Sequence, residues 1–209
     1  MVGRTGGGGR TVRAGGDNGG MWLAWATVPV PGPIGALTVG TTEAGVALVC
    51  FGGGADSRRR VLGAAQRRGA EAVSDPARTE CAVAELVEYA AGRRTEFALP
   101  VDWRLTSGDQ RTVLATLHES VGYGQTTTYG ELAVRSGAYQ SEGHPAPNRG
   151  LAARRVGSIM GSNPVPVIVP CHRVLAADGL GGFGGGLEAK RWLLDLEGAL
   201  PPMLDLWPN

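Results

Sequence analysis

The stretch TYGELAVRSG, Thr128 to Gly137, decides the architecture of the second half of this chain. Thr128 and Glu131 stand three residues apart. This is the spacing of a capping box, in which a hydroxyl and a carboxylate satisfy free backbone N–H groups at a helix start. The helix therefore begins with Tyr129 in its first turn and stops at Gly137. Upstream, Val113, Leu114 and Leu117 line one face of another helix, which ends before Gly122. Downstream comes AYQSEGHPAPNRG, a loop by its proline, glycine and polar content. The segment LAARRVGSIMGSN then sets Ala152, Val156, Ile159 and Met160 on one face, and Pro164 prevents continuation. Two short helices, the second bearing Arg154 and Arg155, predict a helix-turn-helix.

The first half follows a different pattern. From Trp25 to Phe51, apolar runs are broken by PGP, GTTEAG and GGGAD, which predicts a small antiparallel meander. Val83, Leu86, Val87 and Ala90 then recur at helical spacing up to Gly92. LPVDWRLTSG reads as a connection, so residues 21–103 and 104–200 are expected to form two units. They are flanked by a glycine-dominated tail, residues 1–20, expected to be disordered, and by a short C-terminal tail, 201–209. Prolines at 29, 31 and 33 deny MWLAWATVPVPGPIGALTVG the continuous helix of a signal peptide or membrane span.

Composition narrows the function. The net charge is +1, and the three cysteines, Cys50, Cys81 and Cys171, lie far apart. Neither a disulfide framework nor a zinc site is indicated; no metal or other cofactor is expected, and a reducing cytoplasm is the simplest setting. Between Glu142 and Asp178 there is no acid, while Arg149, Arg154, Arg155 and Arg173 fall there. That window is either a solvated basic face or a place for a polyanion.

The residues fit for chemistry cluster late in the chain. In VIVPCHRV, an apolar run consistent with a buried strand or extended segment gives way to Cys171, His172 and Arg173. Nearby positive charge favours a nucleophilic thiolate, and a water is the natural proton carrier to an imidazole that need not touch the sulfur. LEAKRWLLDLEG is a helix ending at Gly198. Glu197 near its end opposes the helix dipole unless a partner such as a histidine compensates. A Cys, His, Glu relay is chemically consistent, although spacing leaves open whether Glu197 meets His172. GLGGFG, Gly179 to Gly184, matches a dinucleotide-binding pattern literally, but no clear strand precedes it and no β-α-β continuation follows. Its glycines are read as letting backbone approach a ligand closely.

With these residues in view, the chain resembles the methylated-DNA–protein-cysteine methyltransferases, or O6-alkylguanine-DNA alkyltransferases. The motifs that carry the resemblance are TYGELA, AARRVGSIMGSNPVPVIVPCHRV and DGLGGFGGGLEAKRWLLDLEG, in that order. More loosely, PGPIGALTVGTTEAGVALVCF and AELVEYAAGRRTEFALPVDW match the first half. The resemblance implies an α/β protein, with a small ribonuclease-H-like N-terminal domain and a mostly helical, winged-helix-like C-terminal domain containing the helix-turn-helix. It implies a monomer that binds double-stranded DNA bearing O6-alkylguanine, flips out the base, and transfers the alkyl group once to its own cysteine, with O4-alkylthymine as a further substrate.

Residue by residue, the resemblance makes Cys171 the alkyl acceptor, His172 and Glu197 its deprotonating partners through water, and Asn163 the tie between the helix-turn-helix and the active-site turn. Tyr129 would donate toward the flipped guanine. Arg154 would hold the gap in the duplex, Ala152 and Ala153 would let the helix lie close in the minor groove, and Thr128 would also contact DNA. Met160, Val174, Phe183 and Gly184 would wall the pocket. The chain departs from the family's pattern in its long inter-helix loop, in Gly184 where a hydroxyl-bearing residue is often found, and in Asp109 where phenylalanine is usual. A non-catalytic lesion-binding protein would lack the acceptor cysteine, and a cysteine hydrolase would need an oxyanion site that no motif here supplies.

Overall fold

The computed structural model describes residues 21–138 and 149–200. The expectations for tails 1–20 and 201–209, and for most of the inter-helix loop, lie outside the described residues.

The meander is present as β1 (Trp22–Pro29), β2 (Ala36–Thr42) and β3 (Gly45–Phe51), paired antiparallel in succession. The segment that superficially looked like a leader is thus a hairpin arm, β1 and β2 around a PGP turn. No described helix is long and apolar enough to cross a membrane. Helix α1 (Ala55–Arg67) then crosses over so that β4 (Glu71–Ser74) runs parallel to β1, giving the strand order β3-β2-β1-β4. Both α1 and β4 lie where no apolar period is visible. The buried face of α1 is Val61, Ala64 and Ala65 on a helix rich in arginine, and small alanines leave a faint hydrophobic signal.

Helix α2 (Pro76–Ala90) starts earlier than the apolar pattern, because Asp75 caps it by accepting from Ala77 N and Arg78 N, and Pro76 suits the first turn. It packs on β1 and β2. The sheet is therefore covered on both faces: Leu23, Leu48 and Cys50 meet Val61 and Ala64 of α1 on one side, and Leu37, Val39 and Val49 join Leu86 and Tyr89 on the other. A sheet buried on both faces needs near-continuous apolar strands, which GVALVCF supplies.

The second cluster of these does not stop at the sheet. It continues into α3 (Gly108–Ser120), α4 (Tyr129–Ser136), α5 (Arg149–Gly161) and the turn that follows, through Val113, Leu117, Leu132, Val156 and Ile168. A strand contact ties the halves further: Val49 N donates to Pro164 O at 2.8 Å, while Val46 N donates to Pro100 O at 2.9 Å and fastens the connecting segment to the sheet. The capping box at Thr128 forms with both hydrogen bonds, and Gly137 ends α4 in the left-handed conformation at φ 62°. A two-residue parallel pairing joins β5 (Thr127–Thr128) to β6 (Val174–Leu175), and α6 (Leu187–Leu196) closes the fold. Asp109 sits in the first turn of α3, where a carboxylate complements the helix dipole.

Candidate active site

The apolar run before Cys171 is buried, as its composition predicts, but it is not a strand. It folds as a tight turn in which Val169 N donates to Val165 O at 2.9 Å, and Val167 takes φ 77°. A β-branched residue in the left-handed region is costly and persists only where surroundings enforce it. Asn163 supplies that enforcement: its Nδ2 donates to Val169 O at 2.9 Å, and its Oδ1 accepts from Val165 N at 3.0 Å. Cys171, His172 and Arg173 follow as one turn of 3-10 helix, so their side chains diverge around its axis.

His172 and Arg173 converge on Glu197, which occupies the C-cap of α6. The imidazole Nε2 donates to Oε1 at 2.8 Å, and the Arg173 guanidinium donates through Nε to Oε2 and through Nη2 to Oε1, both at 2.9 Å. Gly124 N adds a bond at 3.2 Å, and the Tyr89 hydroxyl from α2 donates to the same carboxylate. Burial opposes a charge on Glu197, yet the bonds from His172 and Arg173 outweigh it and hold the carboxyl at about 2. Burial lowers the pKa of His172 while Glu197 resists, leaving the imidazole below its ordinary value of 6.5. Its Nδ1 is buried and has no hydrogen-bond partner, so it is the ring nitrogen able to accept a proton.

Cys171 is 5% exposed. It lies in the wall of a cavity of about 840 Å³ that also meets Thr128, Tyr129, Ala153, Arg154, Met160, Phe183 and Gly184. The expected cationic help from His172 and Arg173 is not what the site provides, since both are committed to Glu197. Burial instead raises the thiol to about 11, opposed by a hydrogen bond from Asn163 and the charge of Lys190.

Lys190 was not singled out by motif reasoning. It is fully buried and donates through Nζ to Val174 O at 2.7 Å, to Leu180 O, and to Gly182 O at 3.4 Å, pinning the glycine-rich loop beside the cysteine. Burial draws its pKa down to about 8. The available signal was its place on the same helical stripe as Leu193, Leu194 and Glu197, an unusual site for a charge. Tyr89 carried no local signal, because its partner is 108 residues away.

Two expected contacts move. Ala152 turns into the core at 6% exposure, leaving Ala153 and Arg154 to face the cavity; the helical period puts residues 152, 156 and 160 inward together. Val174 is wholly buried and outside the cavity wall, because β6 pairs there with β5 and packs against α4. Tyr129 keeps its place at the cavity. Its hydroxyl donates to Gly182 O at 3.4 Å, and burial, then the nearby Cys171, keeps its pKa above the ordinary value of 10.0.

Comparison with known proteins agrees with this geometry. A family profile described as "6-O-methylguanine DNA methyltransferase, DNA binding domain" matches residues 109–199. The methylated-DNA–protein-cysteine methyltransferase of Mycobacterium tuberculosis (strain CDC 1551 / Oshkosh) is 44% identical over 129 residues, covering 61% of this chain and 70% of that protein. The Methanopyrus kandleri protein of the same name is 50% identical over 95 residues, covering 46% of this chain and 62% of its own length. Among solved structures, Mycobacterium tuberculosis OGT in complex with DNA superposes with a TM-score of 0.65 at 34% identity, covering 84% of this chain and 93% of that one. The cysteine, its histidine–glutamate partners and these likenesses together place the chain in the methylated-DNA–protein-cysteine methyltransferase family.

Proposed function

We propose that this protein repairs DNA by taking an alkyl group from O6-alkylguanine in a duplex onto Cys171, once per molecule. The observation that carries this reading is the buried His172 side chain, held by Glu197 through Nε2 with Nδ1 left free to accept, next in the chain to a thiol that opens on a base-sized cavity.

The target oxygen lies inside a paired stack, so the nucleotide must be everted to reach the cavity, at lowest cost where the pair is already damaged. Arg154 at the rim fills the gap in the duplex, while Thr128 and Ala153 border the entry. The thiol proton passes by way of water to His172 Nδ1, and the imidazolium is stabilised by Glu197. The sulfur then displaces the alkyl carbon in line, a C–S bond forming as the C–O6 bond breaks. Tyr129 donates a proton to the departing guanine and is recharged from His172, so the proton lost by the thiol ends on the base. Nothing in this sequence cleaves the thioether, and turnover stops at one. Raised by burial, the thiol rests protonated, so proton removal accompanies attack. Met160 and Phe183 give the base apolar walls, and Asn163 holds the turn. We infer also that residues 21–103 are a ribonuclease-H-like unit, supported by the β3-β2-β1-β4 order with β4 parallel to β1. Residues 104–200 are read as the winged-helix-like unit that grips DNA.

The test is incubation with an oligonucleotide duplex containing O6-methylguanine, followed by peptide mass mapping. The expected result is one added methyl on Cys171 and a yield that never exceeds one per protein. Repeated turnover, or methylation at Cys50 or Cys81, contradicts the reading.

A further inference from the structure

A second cleft, of about 630 Å³, opens between α1 and the C-terminal end of α5. Arg59, Arg60 and Arg67 line it from α1, and Gly161, Ser162 and Asn163 line it from α5 and the turn beyond. Arg59, Arg60 and Arg67 share one helical face, with Gly63 between them leaving the wall open. Among the described lining residues the one acid is Asp56, which pairs with Arg59. Arg60 also lies near the buried Cys50 thiol, whose pKa burial raises and Arg60 lowers. The cleft thus carries a positive excess on a protein of net charge +1.

Its position matters more than its charge. Gly161 lines both this cleft and the cavity that holds Cys171, so the two openings adjoin at the C-terminal end of α5. From Arg59 to Arg67 the helix rises about 12 Å, and a DNA strand presents a phosphate about every 3.4 Å of axis, so the row spans more than one phosphate. The arginines are exposed along an open cleft. That suits a strand passing through better than an enclosed small anion.

We propose that the arginine cleft of α1 binds the phosphate backbone of the same duplex whose everted base enters the Cys171 cavity, extending the DNA footprint from α5 onto the first half of the chain. This rests on the reading of the Cys171 cavity given above. The contacts add affinity without sequence preference, as phosphate contacts do.

Full-length protein is titrated against an unmodified duplex of about 20 base pairs between about 50 and 200 mM salt, read by fluorescence anisotropy. Replacing two phosphate contacts, Arg59→Gln with Arg67→Gln, is expected to flatten the plot of log affinity against log salt by about 1.8, and Arg67→Gln alone by about 0.9. Arg58→Gln, on α1 but outside the cleft, leaves the slope unchanged. An unchanged slope in the double variant, or equal flattening by Arg58→Gln, overturns the proposal. So does displacement of the duplex by inorganic phosphate at constant ionic strength in the wild type alone, which would assign the cleft to a free anion. In parallel, transfer from free O6-methylguanine base to Cys171 is followed by mass and proceeds equally in all variants. Failure of the wild type to take methyl onto Cys171 from a duplex containing O6-methylguanine would sink the repair reading and is separable from any change in slope.

Discussion

The thiol of Cys171 sits at 5% exposure with its pKa raised to about 11, while the imidazole next to it is held below 6.5 by burial. Both groups are therefore uncharged at neutral pH, and the charge that drives the chemistry is stored on Glu197, which stays ionised down to about pH 2. An uncharged pair avoids the large cost of a free buried charge. A pH dependence follows, with a definite sign. The imidazole accepts a proton only when neutral, and its pKa is lowered, so acid inactivation begins only below its ordinary value of 6.5. The rate of adduct formation on free O6-methylguanine base is expected to hold down to that pH and to fall with a midpoint below it. A pH–rate profile whose acid limb is centred above 6.5 would assign the base to another group.

Among the elements, the glycine-rich loop between β6 and α6 is held from two sides. Lys190 donates to carbonyls on either side of Gly181, and Tyr129 from α4 packs against Gly181 itself. Gly181 has φ +68°, and a Cβ there would lie 2.9 Å from the Tyr129 ring and hydroxyl and 3.3 Å from Ala176 N. A side chain at this position is strained in backbone and crowded at once, by about 1–2 kcal/mol for the left-handed conformation alone. Gly181→Ala is expected to slow methyl transfer about tenfold by displacing Tyr129 or the loop. The backbone strain alone is expected to lower the melting temperature by roughly 2–8 °C, leaving the protein folded at assay temperature so that the loss of rate is read on native protein. Single-turnover kinetics beside a melting curve separate the two effects. The same stretch explains why G-x-G-x-x-G misleads as a motif: its glycines answer to a neighbouring tyrosine and a buried lysine, not to a pyrophosphate at a helix start.

At the scale of the whole molecule, the two halves share one apolar cluster and one polar relay. Tyr89, in α2 of the first half, is buried at 1% exposure, donates to Glu197, and lies 3.3 Å from His172 Nε2. The first half is thus a wall of the relay as well as a neighbour of the helical half. Tyr89→Phe removes a hydrogen bond to a charged group, about 1.5–3 kcal/mol, and is expected to lower the melting temperature by roughly 3–12 °C. A purely structural role would stop there. Loss of a donor also leaves more negative charge on Glu197 for His172, which raises the imidazole pKa, so the acid limb of the rate profile should move to higher pH. An unmoved limb would restrict Tyr89 to packing.

Local sequence determined the elements whose signals are local. The capping box of Thr128 and Glu131, the stop at Gly137, the meander from Trp25 to Phe51 and the inward stripe of α5 all depend on neighbours within a few residues, and they form as the pattern predicts. Motif order also marked Cys171, His172 and Glu197. Only the tertiary structure decided what long-range contacts decide: that α1 and β4 complete the sheet, that VIVP is a turn clamped by Asn163, that Val174 is buried away from the cavity, and that Tyr89 and Lys190 serve the site. The physical reason is one of range. Capping and periodicity act between residues adjacent in the chain, whereas burial, dielectric and charge compensation depend on segments brought together from 108 residues apart.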